Sequence, residues 1–113
     1  MAHYTYLPVY KASYELLMAV FYGGKNCSRE YKYTIVERLK NEVIGLIIAI
    51  YHANSTYEKA TVIQAARDKI EVIRLLTRLL QDLKQISIRR FVYINERIES
   101  VSKQLSAWQK SSP

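Results

Sequence analysis

Between Pro8 and Pro113 the chain contains no proline, so nothing stops a helix outright across almost the whole of its 113 residues. The other strong punctuation is three glycines, Gly23 and Gly24 together and Gly45 alone. Apolar residues return at steps of three and four between these marks, and no strand-like alternation competes with them. Half of the residues are apolar and 24% are charged, the balance of a folded chain and not of a disordered one. The reading is all-α, a single domain over residues 1–113.

Four helices are expected, over roughly 8–23, 31–54, 58–85 and 88–109. Pro8 suits a first helical turn, where its fixed φ and missing N–H cost nothing. Gly23-Gly24 signals the end of that helix, followed by a loop to Ser28 that holds Cys27. The second helix starts between Ser28 and Thr34. Thr34 and Glu37 have capping-box spacing, while Tyr31 and Tyr33 equally suit an extra first turn. From Val43 the sequence runs VIGLIIAIY, apolar nearly all round, until Asn54, Ser55 and Thr56 end it.

On the third helix Arg67, Glu71, Arg74, Arg78, Asp82 and Gln85 form one narrow polar stripe. Ile70, Val72, Ile73, Leu75, Leu76, Leu79, Leu80 and Leu83 fill most of the remaining circumference, more than one apolar face needs. Ser87 is a good N-cap for the fourth helix. There Phe91, Ile94, Ile98, Val101, Leu105 and Trp108 step as an a/d seam, Glu99 and Lys103 form an i, i+4 pair, and Lys110–Pro113 reads as a frayed end. Short connections make the simplest packing an antiparallel up-down-up-down four-helix bundle. The surplus apolar surface on helices two and three implies a homo-oligomer with both near the interface.

Catalytic and metal chemistry find no footing in the sequence. The single cysteine makes no internal disulfide. His52 has Ala49 three residues before it, so the Glu-x-x-His of di-iron bundles is missing, and no Cys/His set suits zinc. Helical nucleases of the higher-eukaryote/prokaryote nucleotide-binding class need an Arg four to six residues before a His; Arg38 lies far too early. Gly23-Gly24 lacks the residues of a phosphate loop. Cys27 with His52 is a weak candidate thiol–imidazole pair, and His52 reads better as a packed or interface residue. The expectation is a non-enzyme without cofactor or metal. No secretory signal opens the chain and no stretch reaches the roughly 20 apolar residues of a membrane span, which points to the cytoplasm.

A net charge of +7 favours anionic partners. Arg74 and Arg78, four apart, mildly repel each other, and Arg67 extends the row. Arg89 and Arg90 open the fourth helix, with Arg97 and Lys103 further along. These seven residues are the candidate phosphate contacts. The competing reading is a solvated face with local pairs, Arg67 with Glu71 and Arg78 with Asp82. The ten tyrosines, Tyr4, Tyr6, Tyr10, Tyr14, Tyr31, Tyr33 and Tyr57 among them, read as half-buried packing with hydroxyls reaching water.

The stretches LPVYKASYELL, REYKYTIVERLKNEVIGLIIAIYHAN, IRLLTRLL and QLSAWQK resemble the four-helix-bundle proteins encoded in 23S rRNA intervening sequences. They equally resemble the accessory variability determinant (Avd) proteins of diversity-generating retroelements. The resemblance implies a homopentameric barrel of bundles with a basic surface. In the Avd branch it implies binding to nucleic acid, RNA or DNA, and to the retroelement's reverse transcriptase, with Arg74 and Arg78 standing at that branch's third-helix arginine pair. The expected function is a non-catalytic, oligomeric, nucleic-acid-binding accessory protein. The alternative is an intervening-sequence protein acting as a protein-interaction scaffold with no nucleic-acid role.

Overall fold

A computed structural model describes residues 3–112. A 3-10 turn, Tyr4–Tyr6, precedes four helices. We call them α1 (Pro8–Gly24), α2 (residues 29–55), α3 (Lys59–Asp82) and α4 (Ile88–Ser111). The second is one continuous rod of three parts: a first turn, Arg29–Tyr31; a π-helical turn, Lys32–Val36; and a regular helix, Glu37–Ser55. No strand occurs among the described residues. The elongated molecule measures 43 × 22 × 20 Å.

Each helix packs on its neighbours in sequence, α4 closes the ring onto α1, and among the described residues no helix packs across the diagonal. With connections of only 25–28, 56–58 and 83–87 this is the up-down-up-down order. The core is assembled from the inward stripe of each helix: Leu16 and Val20; Leu39, Val43, Leu46 and Ile50; Ile63, Ile70, Ile73 and Leu80; Ile94, Ile98, Val101 and Leu105. Each such Leu or Ile stabilises the fold by about 1.5–3 kcal/mol through burial. The expected a/d seam of α4 is this stripe from Ile94 to Leu105, with Trp108 partly buried at its end, while Phe91 is half-buried and stands outside the core cluster.

The helix ends show what the sequence signals were for. Pro8 occupies the first turn of α1, and Ser87 Oγ accepts the Arg90 N–H at 3.0 Å. Thr34 and Glu37 make no capping box. Thr34 lies inside the π turn and donates its hydroxyl to the Glu30 carbonyl at 2.9 Å, so the helix starts earlier, at Arg29. The glycine pair ends α1 without any positive φ. Gly24 instead allows close approach, since a Cβ there would lie 2.5 Å from Val36 Cγ1.

The third helix ends at Asp82, short of the expected residue 85. Lys84 takes a left-handed conformation (φ 59°), its N–H meets the Gln81 carbonyl at 2.9 Å, and the Gln85 N–H reaches the Leu80 carbonyl at 2.9 Å. This is a Schellman termination built on a lysine. At the opposite end Lys59 opens α3 and donates from Nζ to the carbonyls of Ala53 (2.9 Å), Asn54 (3.3 Å) and Thr56 (2.8 Å), closing the end of α2. The last helix runs to Ser111, so most of the expected frayed end is helical; Pro113 lies outside the described residues.

A single chain leaves much apolar surface uncovered. Ile44, Ile48 and Tyr51 of α2 are exposed, as are Tyr14 and Phe21 of α1, and Leu75 of α3 is 65% exposed. The surplus apolar side of α3 stays open to solvent within one chain, where Leu79 is exposed as well as Leu75.

Candidate nucleic-acid interface

The polar stripe of α3 turns toward α4. Arg74 donates from Nε to Glu99 Oε2 at 3.1 Å, from Nη2 to the same oxygen, and from Nη1 to Glu71 at 2.6 Å. Burial disfavours the Arg74 cation, but the hydrogen bonds to Glu99 and Glu71 outweigh it and hold its pKa above the ordinary arginine range. Arg67 donates to Gln109 Oε1 at 2.5 Å, and Gln109 in turn donates to the Ala60 carbonyl (3.1 Å) and to Gln64 (3.0 Å). These contacts join α3 to α4.

Four sequence expectations are corrected here. Arg74 is not a free, solvent-facing cation, because the approach of α4 supplies it with a carboxylate from another helix. Arg67 pairs with Gln109 and not with Glu71, which is taken by Arg74. Glu99 faces Arg74 and not Lys103. Gln85 leaves the stripe for the turn, where its Oε1 accepts the Ser28 N–H at 2.8 Å. Arg78 does pair with Asp82, at 3.3 Å and well exposed, a contact worth little in water.

Arg97 turns the other way, to α1, donating to Glu15 at 3.1 Å and lying 4.9 Å from the centre of the Tyr93 ring. Lys103 is exposed and makes no ion pair among the described residues. The same is true of Arg89. The Arg90 side chain runs across Gly23, 3.3 Å from where a Cβ would stand, and its guanidinium has no carboxylate partner among the described residues.

Arg89 and Arg90 belong to a cluster that a linear reading does not assemble. The connection after α1 and the turn after α3 meet at one end of the bundle, joined by the Ser28–Gln85 bond and by Cys27 Sγ against the Gln85 carbonyl at 3.6 Å. That end gathers Lys25, Arg29, Lys32, Lys84, Arg89 and Arg90. Against them stand Glu30 and Asp82, and Asp82 is held by Arg78. Lys32 donates to the Lys25 carbonyl at 3.2 Å; Lys25, Arg29, Lys84 and Arg89 are exposed and without an ion pair among the described residues. Lys25, Arg29, Lys32 and Lys84 were missed because they are scattered over the α1–α2 connection, the first turns of α2 and the turn after α3; the available signal was that all three must lie at the same end of an antiparallel bundle.

The rival chemistries can also be placed. Cys27 precedes α2 and His52 lies near its far end, a separation of roughly 35 Å at helical rise, so they form no pair. Cys27 is buried, and desolvation pushes its thiol pKa up against the pull of Lys32 and Lys40. His52 is exposed beside Tyr51, not packed in the core. Among the described residues no three His, Cys, Asp or Glu side chains gather at a metal-sized site, and no helix is long and apolar enough to cross a membrane. The tyrosines divide: Tyr4, Tyr10 and Tyr31 are half-buried as expected, whereas Tyr6, Tyr14, Tyr33 and Tyr57 are exposed.

Among known proteins, the family model described as bAvd-like matches residues 9–112, nearly the whole chain. No curated protein matches it.

Proposed function

The chain belongs to the bAvd-like family, and from that premise we propose that it is a non-catalytic, oligomeric accessory protein that binds nucleic acid through the basic end of its bundle. The family is generally non-catalytic, and no catalytic group is evident among the described residues. The observation that carries the reading is the set of exposed cations without ion pairs at that end, Lys25, Arg29, Lys84 and Arg89, with Arg90 beside them. A chain needing charge only for solubility gains nothing by gathering it at one end.

Of the seven arginine and lysine positions proposed from sequence, Arg78, Arg89, Arg90 and Lys103 are the ones available to phosphate. Arg67, Arg74 and Arg97 already serve contacts between helices, and they enter binding only by exchanging those partners. Family membership supports self-assembly, for which we propose the pentamer, and a reverse transcriptase as protein partner. Oligomerisation would repeat the basic end in each subunit and multiply the phosphates engaged.

The test is fluorescence anisotropy of labelled DNA and RNA at several salt concentrations. The Arg89→Ala/Arg90→Ala variant should weaken binding to all sequences alike and flatten the log–log salt slope by about 0.9 for each duplex phosphate no longer neutralised. Wild-type protein that binds neither probe at about 50 mM salt would remove the nucleic-acid reading. The scaffold alternative, favoured by the uncovered apolar surface of α1 and α2, would then stand in its place.

A further inference from the structure

Two hollows of about 260 Å³ each lie side by side and share two residues, Arg90 and Tyr93. One opens at the start of α4 beside Arg89. The other runs between α1 and α4 past Tyr14, Met18 and Tyr22. The groove therefore joins the basic end of the bundle to a row of aromatic rings. Tyr22 is 51% exposed and Tyr93 42%, so both present ring surface to solvent.

Each of these two rings is also held by a cation: Lys25 Nζ lies 5.0 Å from the centre of Tyr22, and Arg97 lies 4.9 Å from that of Tyr93. Each cation lies over one side of its ring, so a flat ligand meets the ring surface that stays exposed. The one carboxylate in the wall, Glu15, is already neutralised by Arg97. What remains is a channel that is cationic at its mouth and aromatic along its length.

Duplex DNA offers such a channel only phosphates, because its bases are stacked on one another. An unpaired strand offers phosphates and free base faces together. The geometry points to single-stranded nucleic acid as the occupant of the α1–α4 groove, its bases stacking on Tyr22 and Tyr93 and its backbone meeting Arg89 and Arg90. This rests on the nucleic-acid reading above and narrows it to a strand class and a place. Stacking accepts any base, so the contact carries little sequence preference.

The test compares a labelled oligo(dT) strand with a labelled duplex, using the full chain and anisotropy at fixed salt. Tyr22→Leu/Tyr93→Leu should weaken oligo(dT) binding about tenfold or more while changing duplex binding less than about twofold. Tyr22→Phe/Tyr93→Phe, which keeps the ring faces, should bind as wild type. If the folded leucine variant binds oligo(dT) like wild type, the groove proposal falls and the broader reading stands; wild type that binds neither probe removes both. Equal weakening on strand and duplex overturns the proposal, as does a phenylalanine variant as weak as the leucine one. Loss of assembly by native mass spectrometry, in step with weakened binding, overturns it too, since the rings would then be an interface. Should the double leucine variant lose its helicity, Tyr22→Leu alone carries the comparison.

Discussion

Arg74 of α3 and Glu99 of α4 meet in a two-pronged contact, Nε and Nη2 of the guanidinium both donating to Oε2 of the carboxylate. Glu71 completes the site from the preceding turn of α3. A charged row that reads as an outward ligand surface is, at this residue, part of the joint between two helices. The Arg74 side chain is 33% exposed and Glu99 47%, so water screens the pair substantially. Arg74→Ala should cost about 0.5–1.5 kcal/mol in urea unfolding. A double-mutant cycle with Glu99→Ala should recover part of that, because the two losses share one interaction. Additive losses would show that the pairing is energetically idle.

Gly24 and Val36 set how closely the end of α1 approaches the π turn of α2. A Cβ on Gly24 would stand 2.5 Å from Val36 Cγ1, and Val36 is fully buried and β-branched, with little room to rotate. Gly24→Ala should therefore destabilise by about 1–3 kcal/mol, despite the better helix propensity of alanine. Adding Val36→Ala should relieve the clash, leaving a smaller loss than the sum of the two single changes. Thermal unfolding of the three variants gives the comparison, and a Gly24→Ala protein as stable as wild type would mean the helices can part at no cost.

How much of this was readable beforehand depends on the range of the interaction. Pro8, Ser87 and the α4 seam act within one helix, and their sequence signals meant what they said. Thr34 and Glu37 carried the spacing of a cap but not its function, because helix begins five residues earlier, at Arg29, and Thr34 satisfies itself on Glu30. Arg74, Arg67 and Gln85 were misjudged for a different reason. Their partners, Glu99, Gln109 and Ser28, lie 25, 42 and 57 positions away, and only the packed bundle brings them near. The basic end was hidden in the same way, as two connections and the first turns of two helices that topology places side by side.

Lys84 holds a left-handed conformation, φ 59°, that glycine adopts without steric cost. Both backbone bonds of the α3 termination depend on it. Lys84→Gly should raise stability by about 0.5–1 kcal/mol, a gain of a few degrees in melting temperature. Lys84→Ala keeps the strain and should give no such gain. If the two variants melt together, removal of the side chain and not backbone relief decides the outcome.

Cys27 is buried against the Gly23 and Gln85 carbonyls, and its thiol pKa is raised chiefly by desolvation. A thiol-reactive dye should label the native protein far more slowly than the urea-unfolded chain. In the alkaline range the unfolded chain gives up the Cys27 proton first, so it binds fewer protons than the native state. Stability is then fully present below the unfolded thiol pKa and is lost as pH rises toward the folded one. Cys27→Ala should flatten that alkaline decline. An unchanged pH profile would place the titrating group elsewhere.

Ile48 of α2 is half exposed in a single chain, beside a hollow of about 400 Å³ that it shares with Tyr4, Tyr10, Ile47 and Tyr51. Tyr4 packs edge-on against both Tyr51, at 5.0 Å, and Tyr10, at 5.3 Å, which makes the apolar surface continuous from α2 to α1. A carboxylate at position 48 would reach water in the free subunit at little cost, but it would be stranded between subunits if this surface is covered by assembly. Ile48→Glu should therefore leave helicity intact and shift native mass spectra toward the 13.2 kDa subunit at micromolar concentration. Tyr57→Glu, at a fully open position in the α2–α3 turn, should leave the assembly as it is. A folded Ile48→Glu protein with the wild-type mass distribution would move the interface to another face, with Leu75 on α3 the next position to charge.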